Sequence, residues 1–235
     1  MSRKDDLRAL AVTRMAPVVP VVHPGKTRWS VAEALPPQGN IGIELGVAAG
    51  GFAARMVASG RFDHYFGVDV YGDLHNTREY KKALAAVGLL SPFRLLRMTF
   101  DQALDLFPDG YFDFIYVDGY AHTGEEGGRT LVDWLPKLKP GGIMAGDDYS
   151  LADWPLVVWA VNDFVAQLGV TLNVTSDVTD EPYAKYPSWW FVAPAAFDAR
   201  KVVLTPDLLD VADAEKIAVA EQRRRKQLAQ RQGQK

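Results

Sequence analysis

The chain predicts an α/β fold with a doubly wound, mainly parallel, Rossmann-like sheet carrying an antiparallel edge strand. Three observations carry that expectation. From residue 28 onward, short apolar segments alternate with longer amphipathic ones. The first of the apolar segments runs into a glycine-rich turn that opens a helix, and several of them end on an acid. Strands alternating with helices build parallel sheets through right-handed crossovers, and such sheets bind ligands outside the carboxyl ends of their strands.

The elements follow in order. Residues 1–27 are polar and then interrupted by proline, which reads as an arm or short helix followed by extended chain. "NIGIEL" (40–45) is a strand, and "GFAARMVASG" (51–60) is a helix closed by glycine. "HYFGVDV" (64–70) is a second strand. "TREYKKALAAVG" (77–88) is helical, with Tyr80, Leu84 and Val87 on one face. "FRLLRM" (93–98) is a strand and "DQALDLF" (101–107) a short helix. "YFDFIYVD" (111–118) is a buried strand. "GGRTLVDWLPKLK" (127–139) reads as a helix stopped by Pro140-Gly141, and "GGIMAGDD" (141–148) as the next strand. "WPLVVWAVNDFVAQLG" (154–169) is a long helix with Pro155 in its first turn. "VTLNVTS" and "SWWFVAP" are two β-segments, antiparallel to each other at a sheet edge.

These boundaries divide the chain into an arm (1–27), a main domain (28–200) and a charged helical tail (201–235). The tail reads as a solvated helix or as a contact to a second copy or an acidic partner. The 235 residues suffice for one full core, and 48% hydrophobic with 23% charged residues is ordinary for a globular protein. A net charge of −3 argues against general nucleic-acid binding. The absence of cysteine excludes disulfides, thiolate metal sites and cysteine nucleophiles. "APVVPVV" is too short and too broken by Pro17 and Pro20 to span a membrane or serve as a signal peptide, so a cytoplasmic protein is expected.

"IELGVAAGGF" places Glu44 and Gly46 at the end of the first strand, with Gly50 and Gly51 opening the helix, so a ligand can approach the backbone closely. The spacing is not G-x-G-x-x-G, because Glu44 stands where a glycine should be. An acid there repels a pyrophosphate and suits a cationic or amino-acid-like ligand, which disfavours an NAD-dependent dehydrogenase. Asp69 ends the second strand, where a carboxylate would hold a ribose diol.

"IELGVAAGG", "FGVDVY", "FDFIYVDG" and "LKPGGIMAGDDY" resemble successive motifs of class I S-adenosylmethionine-dependent methyltransferases. The last two are most similar to the metal-dependent sugar O-methyltransferases of the macrocin and novobiocin type, and the resemblance covers about residues 40–193. It implies that Glu44 and Gly46 lie near the methionine part of S-adenosyl-L-methionine, that Asp69 binds its ribose, and that Gly50 is a further cofactor-binding residue. Thr99, Phe100 and Asp101 would flank the adenine, although "MTF" stands where the family often has Gly-x-Ser.

Asp118 ends one strand while Asp147 and Asp148 end the next, and in this fold the two strands are neighbours. Converging carboxylates repel unless something neutral or positive intervenes. A hard divalent cation suits such oxygens, so Asp118, Asp147 and Asp148 are the expected metal ligands, with Mg²⁺ the expected ion. Asp118 then serves cofactor and metal alike. A metal would lower the pKa of an acceptor hydroxyl and orient it, and a base would remove its proton.

His122 has the pKa class for that base. In the resembling family an acid or histidine follows the metal Asp by two or three residues, as in "DGDH". Here Tyr120 and Ala121 hold those places and His122 comes fourth. His122 as base, His122 as a loop or capping residue, and Tyr120 as proton partner all stay open.

His23 and His64 read as structural or exposed, and His75 as loop or acceptor-facing. Most of the tryptophans read as core, with Trp154 and Tyr149 as candidate walls of an acceptor pocket. The expected activity is methyl transfer to a hydroxyl of a small sugar- or phenol-type molecule, aided by a metal. A metal-independent methyltransferase and a cofactor-binding module without catalysis are the alternatives.

Overall fold

The computed structural model describes residues 3–72, 76–89, 92–119, 126–180 and 184–232. The strands β1 to β8 are Val21–His23, Asn40–Leu45, Phe62–Val68, Phe93–Leu96, Phe112–Val117, Leu138–Gly146, Asn173–Thr175 and Trp189–Val192. They form one sheet in the spatial order β1-β7-β8-β6-β5-β2-β3-β4. All pairs are parallel except β6–β8 and β7–β8, so β8 alone runs against the others. The expected antiparallel pairing of the last two segments is present. The outermost strand on that side is β1, which pairs with β7 and comes from the segment read as an arm.

From β2 the chain steps outward to β3 and β4, then returns to place β5 on the other side of β2. The crevice at the carboxyl ends of β2 and β5 is therefore the switch point of the sheet. Strand β5 shows why these residues make a buried strand. Alternate side chains point to opposite faces, and both faces are covered. Phe114 and Tyr116 pack in one layer with Val47, Phe52, Met56 and Tyr65. Ile115 and Val117 pack in the other with Trp134, Met144, Trp159 and Phe164. Polar Asp113 survives in β5 because Ile41 N–H and Lys139 Nζ both donate to its Oδ2, each at 2.8 Å.

Helices α1 to α7 are Arg3–Arg14, Gly51–Ala58, Thr77–Val87, Phe100–Leu104, Arg129–Trp134, Pro155–Leu168 and Pro206–Gln232. α6 is mostly apolar and largely buried, as suits a helix inside a layered domain. α5 is shorter than expected. A 3-10 turn, Leu135–Lys137, follows it, because Pro136 has no N–H to continue an α-helix. β6 correspondingly starts at Leu138 rather than 141. Its pairing with β5 shifts between Phe112 and Phe114, and that irregularity accommodates Pro140 and Gly141 inside the strand.

Both termini dock on the domain. Ala11 of α1 is fully buried, and α1 packs along α6, where Ala16 N–H donates to Asp163 Oδ1 at 2.7 Å. Leu208 and Ala212 in the first turns of α7 are buried, and Arg3 pairs with Glu215 at 2.7 Å. Ala11→Asp places an unpaired carboxylate in that contact. It should lower unfolding stability by about 2–4 kcal/mol in urea titration, whereas a substitution on a freely solvated arm would stay within about 0.5 kcal/mol.

Candidate active site

Two cavities open at the switch point, and they share Gly46 and Asp118. One, of about 440 Å³, is lined by Asp69, Met98, Thr99, Phe100, Asp101 and Gly119 in addition to the shared pair. The other, of about 680 Å³, has Glu44, Asp118, Asp147 and Asp148 with the aromatic walls Trp29, Phe52, Trp154 and Tyr186. The candidate cofactor residues Gly46, Asp69, Thr99, Phe100, Asp101 and Asp118 thus gather around a single cavity, while Glu44 lines the second. Gly50 lines neither: it caps α2 in the left-handed conformation and lies against Ala83 of α3.

The turn after β2 is shaped by its neighbour. Gly46 has φ +103°, and a Cβ there would lie 2.3 Å from the Asp118 carbonyl oxygen, so only glycine lets the two strand ends cross. A Cβ on Gly119 would lie 2.2 Å from the ring of Phe100, which therefore packs flat on the Asp118–Gly119 backbone. Asp69 ties the turn down. Its Oδ2 accepts from Val47 N–H (3.1 Å) and Ala48 N–H (2.9 Å), and its Oδ1 from Tyr71 N–H (3.0 Å). Ala48 is held at φ +47°, a strained value for a residue with a Cβ, and its carbonyl accepts from Tyr71 Oη at 2.8 Å. Thr99 caps α4 in a reciprocal box with Gln102.

The acids converge as the strand order requires, but with an arginine among them. Arg28 opens a 3-10 helix, Arg28–Ala34, between β1 and β2, and is 3% exposed. Its Nη1 donates to Asp147 Oδ2 at 2.9 Å and its Nη2 to Asp118 Oδ2. Its guanidinium carbon lies 5.0–5.4 Å from the ring centres of Phe52, Trp29 and Tyr116. Asp147 Oδ1 accepts from Ser188 Oγ at 3.0 Å, and Ser188 Oγ lies 3.0 Å from Tyr116 Oη. Asp148 adopts φ +61° and is buried.

This arrangement lends the metal expectation no support. Among the described residues no group of three acids or histidines is disposed to hold a metal ion, Asp118, Asp147 and Asp148 included. The physical reason is local. Carboxylate oxygens that a dication would take, one each on Asp118 and Asp147, are occupied by guanidinium N–H groups, and a buried positive charge repels another.

Burial and the surrounding charges also set protonation. Burial would push the Arg28 guanidinium down, but Asp118, Tyr116 and Asp147 outweigh it and hold the pKa well above the ordinary value. Burial pushes Asp147 up to about 7 against the opposing pull of Arg28, with Asp118 and Asp148 adding to the rise. Glu44 is 1% exposed, and its Oε2 has no hydrogen-bond partner among the described residues. Burial first, and the Asp118 charge second, hold its carboxyl well above the carboxylate range despite Arg28. Burial thus favours the protonated form of Glu44.

His122, Tyr120 and His75 lie outside the described residues. His23 is structural, hydrogen-bonded to Asn173 Oδ1 at 2.9 Å, and His64 is exposed. Trp154 lines the larger cavity, whereas Tyr149 turns away to donate to Asn162 at 2.7 Å. The sequence reading missed Arg28, Trp29, Phe52 and Tyr186. Only the adjacent Arg28-Trp29, where the proline-broken segment gives way to the domain, offered a signal.

Because Glu44 titrates higher in the folded chain than in the unfolded one, its stabilising contribution is complete below the unfolded carboxylate pKa. It is lost as pH rises towards and through the folded value. Glu44→Gln should therefore flatten the fall in stability, by up to about 1.4 kcal/mol per pH unit, as pH rises above the ordinary carboxylate pKa of about 4.3. Urea midpoints measured across that range check this, and parallel curves for the two proteins would contradict it.

Residues 40–149 match the model of a family described as a methyltransferase domain. A protein of Sinorhizobium fredii named y4gI, itself uncharacterised, is 28% identical over 139 residues, covering 57% of this chain. The chain spans only 15% of that relative's length. Among solved structures, cofactor-bound Rv0187 from MTB superposes with a TM-score of 0.54 at 10% identity, over 84% of this chain and 92% of that one. A provisionally assigned caffeoyl-CoA O-methyltransferase from Staphylococcus aureus gives 0.51 at 15% identity, over 82% and 93%. Residues 40–149 thus resemble a methyltransferase domain in sequence, and the chain shares its overall fold with these solved structures.

Proposed function

We propose that the protein transfers the methyl group of S-adenosylmethionine to a hydroxyl of a small sugar- or phenol-type acceptor. The observation that carries this reading is the pair of cavities meeting at Gly46 and Asp118. The smaller has the residues for an adenosine: Asp69 for ribose hydroxyls, with one Oδ1 lone pair beyond its Tyr71 bond, and Met98 and Phe100 as apolar faces for a base. The larger has aromatic walls on which a sugar or phenol ring can stack, with Trp154 and Tyr186 edge to face at 6.0 Å.

When bound, the cofactor supplies an electrophilic methyl group; the carbon–sulfur bond breaks as the acceptor oxygen bonds to carbon, and S-adenosylhomocysteine leaves. The chain's contribution is alignment and proton transfer. Gly46 brings the turn against the β5 end, so that both ligands reach the same point. Asp118, partly exposed and common to both cavities, takes the acceptor's proton. His122, four residues on, is the second candidate for that proton. The upward shift of the buried Glu44 carboxyl makes the larger cavity less negative than its four acids suggest.

Calorimetry should find binding of S-adenosylhomocysteine and none of NAD; the reverse would overturn the reading. With tritiated S-adenosylmethionine and a panel of hydroxyl acceptors, Asp118→Asn should lower kcat by about 10²–10⁴-fold. An unchanged kcat would remove Asp118 from the proton-transfer role.

A further inference from the structure

We propose that Arg28 is the built-in cation of this site: its guanidinium takes the place between Asp118 and Asp147 that the acid pattern alone would assign to a divalent ion. The inference goes beyond the proposed reaction and does not depend on the identity of the acceptor.

Three observations converge on it. The guanidinium reaches an acid at the end of each of two adjacent strands, and both bonds are charge-assisted. It is enclosed at the depth of the sheet rather than lying across a surface, with rings of Trp29, Phe52 and Tyr116 around it. These faces favour a flat, weakly hydrated cation over a compact hydrated one. The supporting shell is also in place. Val31 and Ala32 of the same 3-10 helix, and Leu35 just after it, are buried with Phe52 and Met56, so packing fixes where Arg28 begins. Ser188 holds the second oxygen of Asp147.

The consequence for the reaction is positional. A metal would contact the acceptor oxygen and exchange with solvent, whereas Arg28 is covalently part of the chain and cannot be removed by a chelator. Arg28 is thus a positioning residue that orients Asp118 from below. The segment between β1 and β2, not the methyltransferase motifs, decides that the acids carry no metal. Removing the guanidinium leaves one buried and one partly buried carboxylate without their counter-charge, a set that should then recruit a hard cation.

The test uses Mn²⁺ as the probe, followed by electron paramagnetic resonance on the full chain. Wild-type protein should show no site tighter than about millimolar. Arg28→Ala should bind one Mn²⁺ at least about tenfold more tightly. Arg28→Ala/Asp147→Asn should lose that site. Guanidinium chloride at low, non-denaturing concentration should displace Mn²⁺ from Arg28→Ala, whereas equal ionic strength as sodium chloride should not.

Tight stoichiometric Mn²⁺ binding by wild type would overturn the proposal. So would a folded Arg28→Ala variant that binds no better than wild type. If Arg28→Ala does not fold, Arg28→Lys and the wild-type titration still decide, since a lysine keeps the charge and should also exclude Mn²⁺. Calorimetry with S-adenosylhomocysteine, run on the same wild-type sample, reads the methyltransferase function separately. Its failure would leave the Mn²⁺ result standing.

Discussion

A buried guanidinium held by two carboxylates at the ends of neighbouring strands organises this site. Arg28 is enclosed by aromatic rings and fixed to Asp118 and Asp147, and neither acid would be tolerable at its depth alone. Removing one member of such a group costs more than the pair contributes, because the remaining charge is left uncompensated. The constraint reaches outward from there. It ties the 3-10 helix before β2 to β5 and β6, and through Ser188 to β8.

The cofactor side depends on a different kind of constraint, close backbone approach. The turn after β2 crosses the β5 end with no room for a Cβ at Gly46, and Asp69 uses both carboxylate oxygens to hold the turn and the start of the next loop. The strained conformation of Ala48 persists because three hydrogen bonds over-determine it: those to its own N–H and carbonyl, and the Val47 N–H bond beside it. Asp69 is thus a structural clamp, and in the proposed function the same carboxylate would also meet the ribose.

The strand pattern and its acids were readable from local chemistry. β2, β5 and the motif carrying Asp147 and Asp148 announce themselves by apolar runs ending in an acid, and neighbouring strands bring those acids together. Where β6 begins was not readable, since a bulge absorbs Pro140 and Gly141 in a way that only the β5 register explains. Arg28 was not readable either. It lies 90 residues before Asp118 and 119 before Asp147, in a segment without periodicity. The acids predict that a positive charge must be present, and only the tertiary fold says that a side chain provides it. Lining residues Trp29, Phe52 and Tyr186 come from three separate segments and share no motif.

The most direct measurement is a crystal structure with S-adenosylhomocysteine grown in Mn²⁺, with anomalous data collected at the manganese edge. This account predicts the Arg28 guanidinium between Asp118 and Asp147 and no anomalous peak at those carboxylates. A manganese peak bridging Asp118, Asp147 and Asp148, with Arg28 turned out of the site, would contradict it.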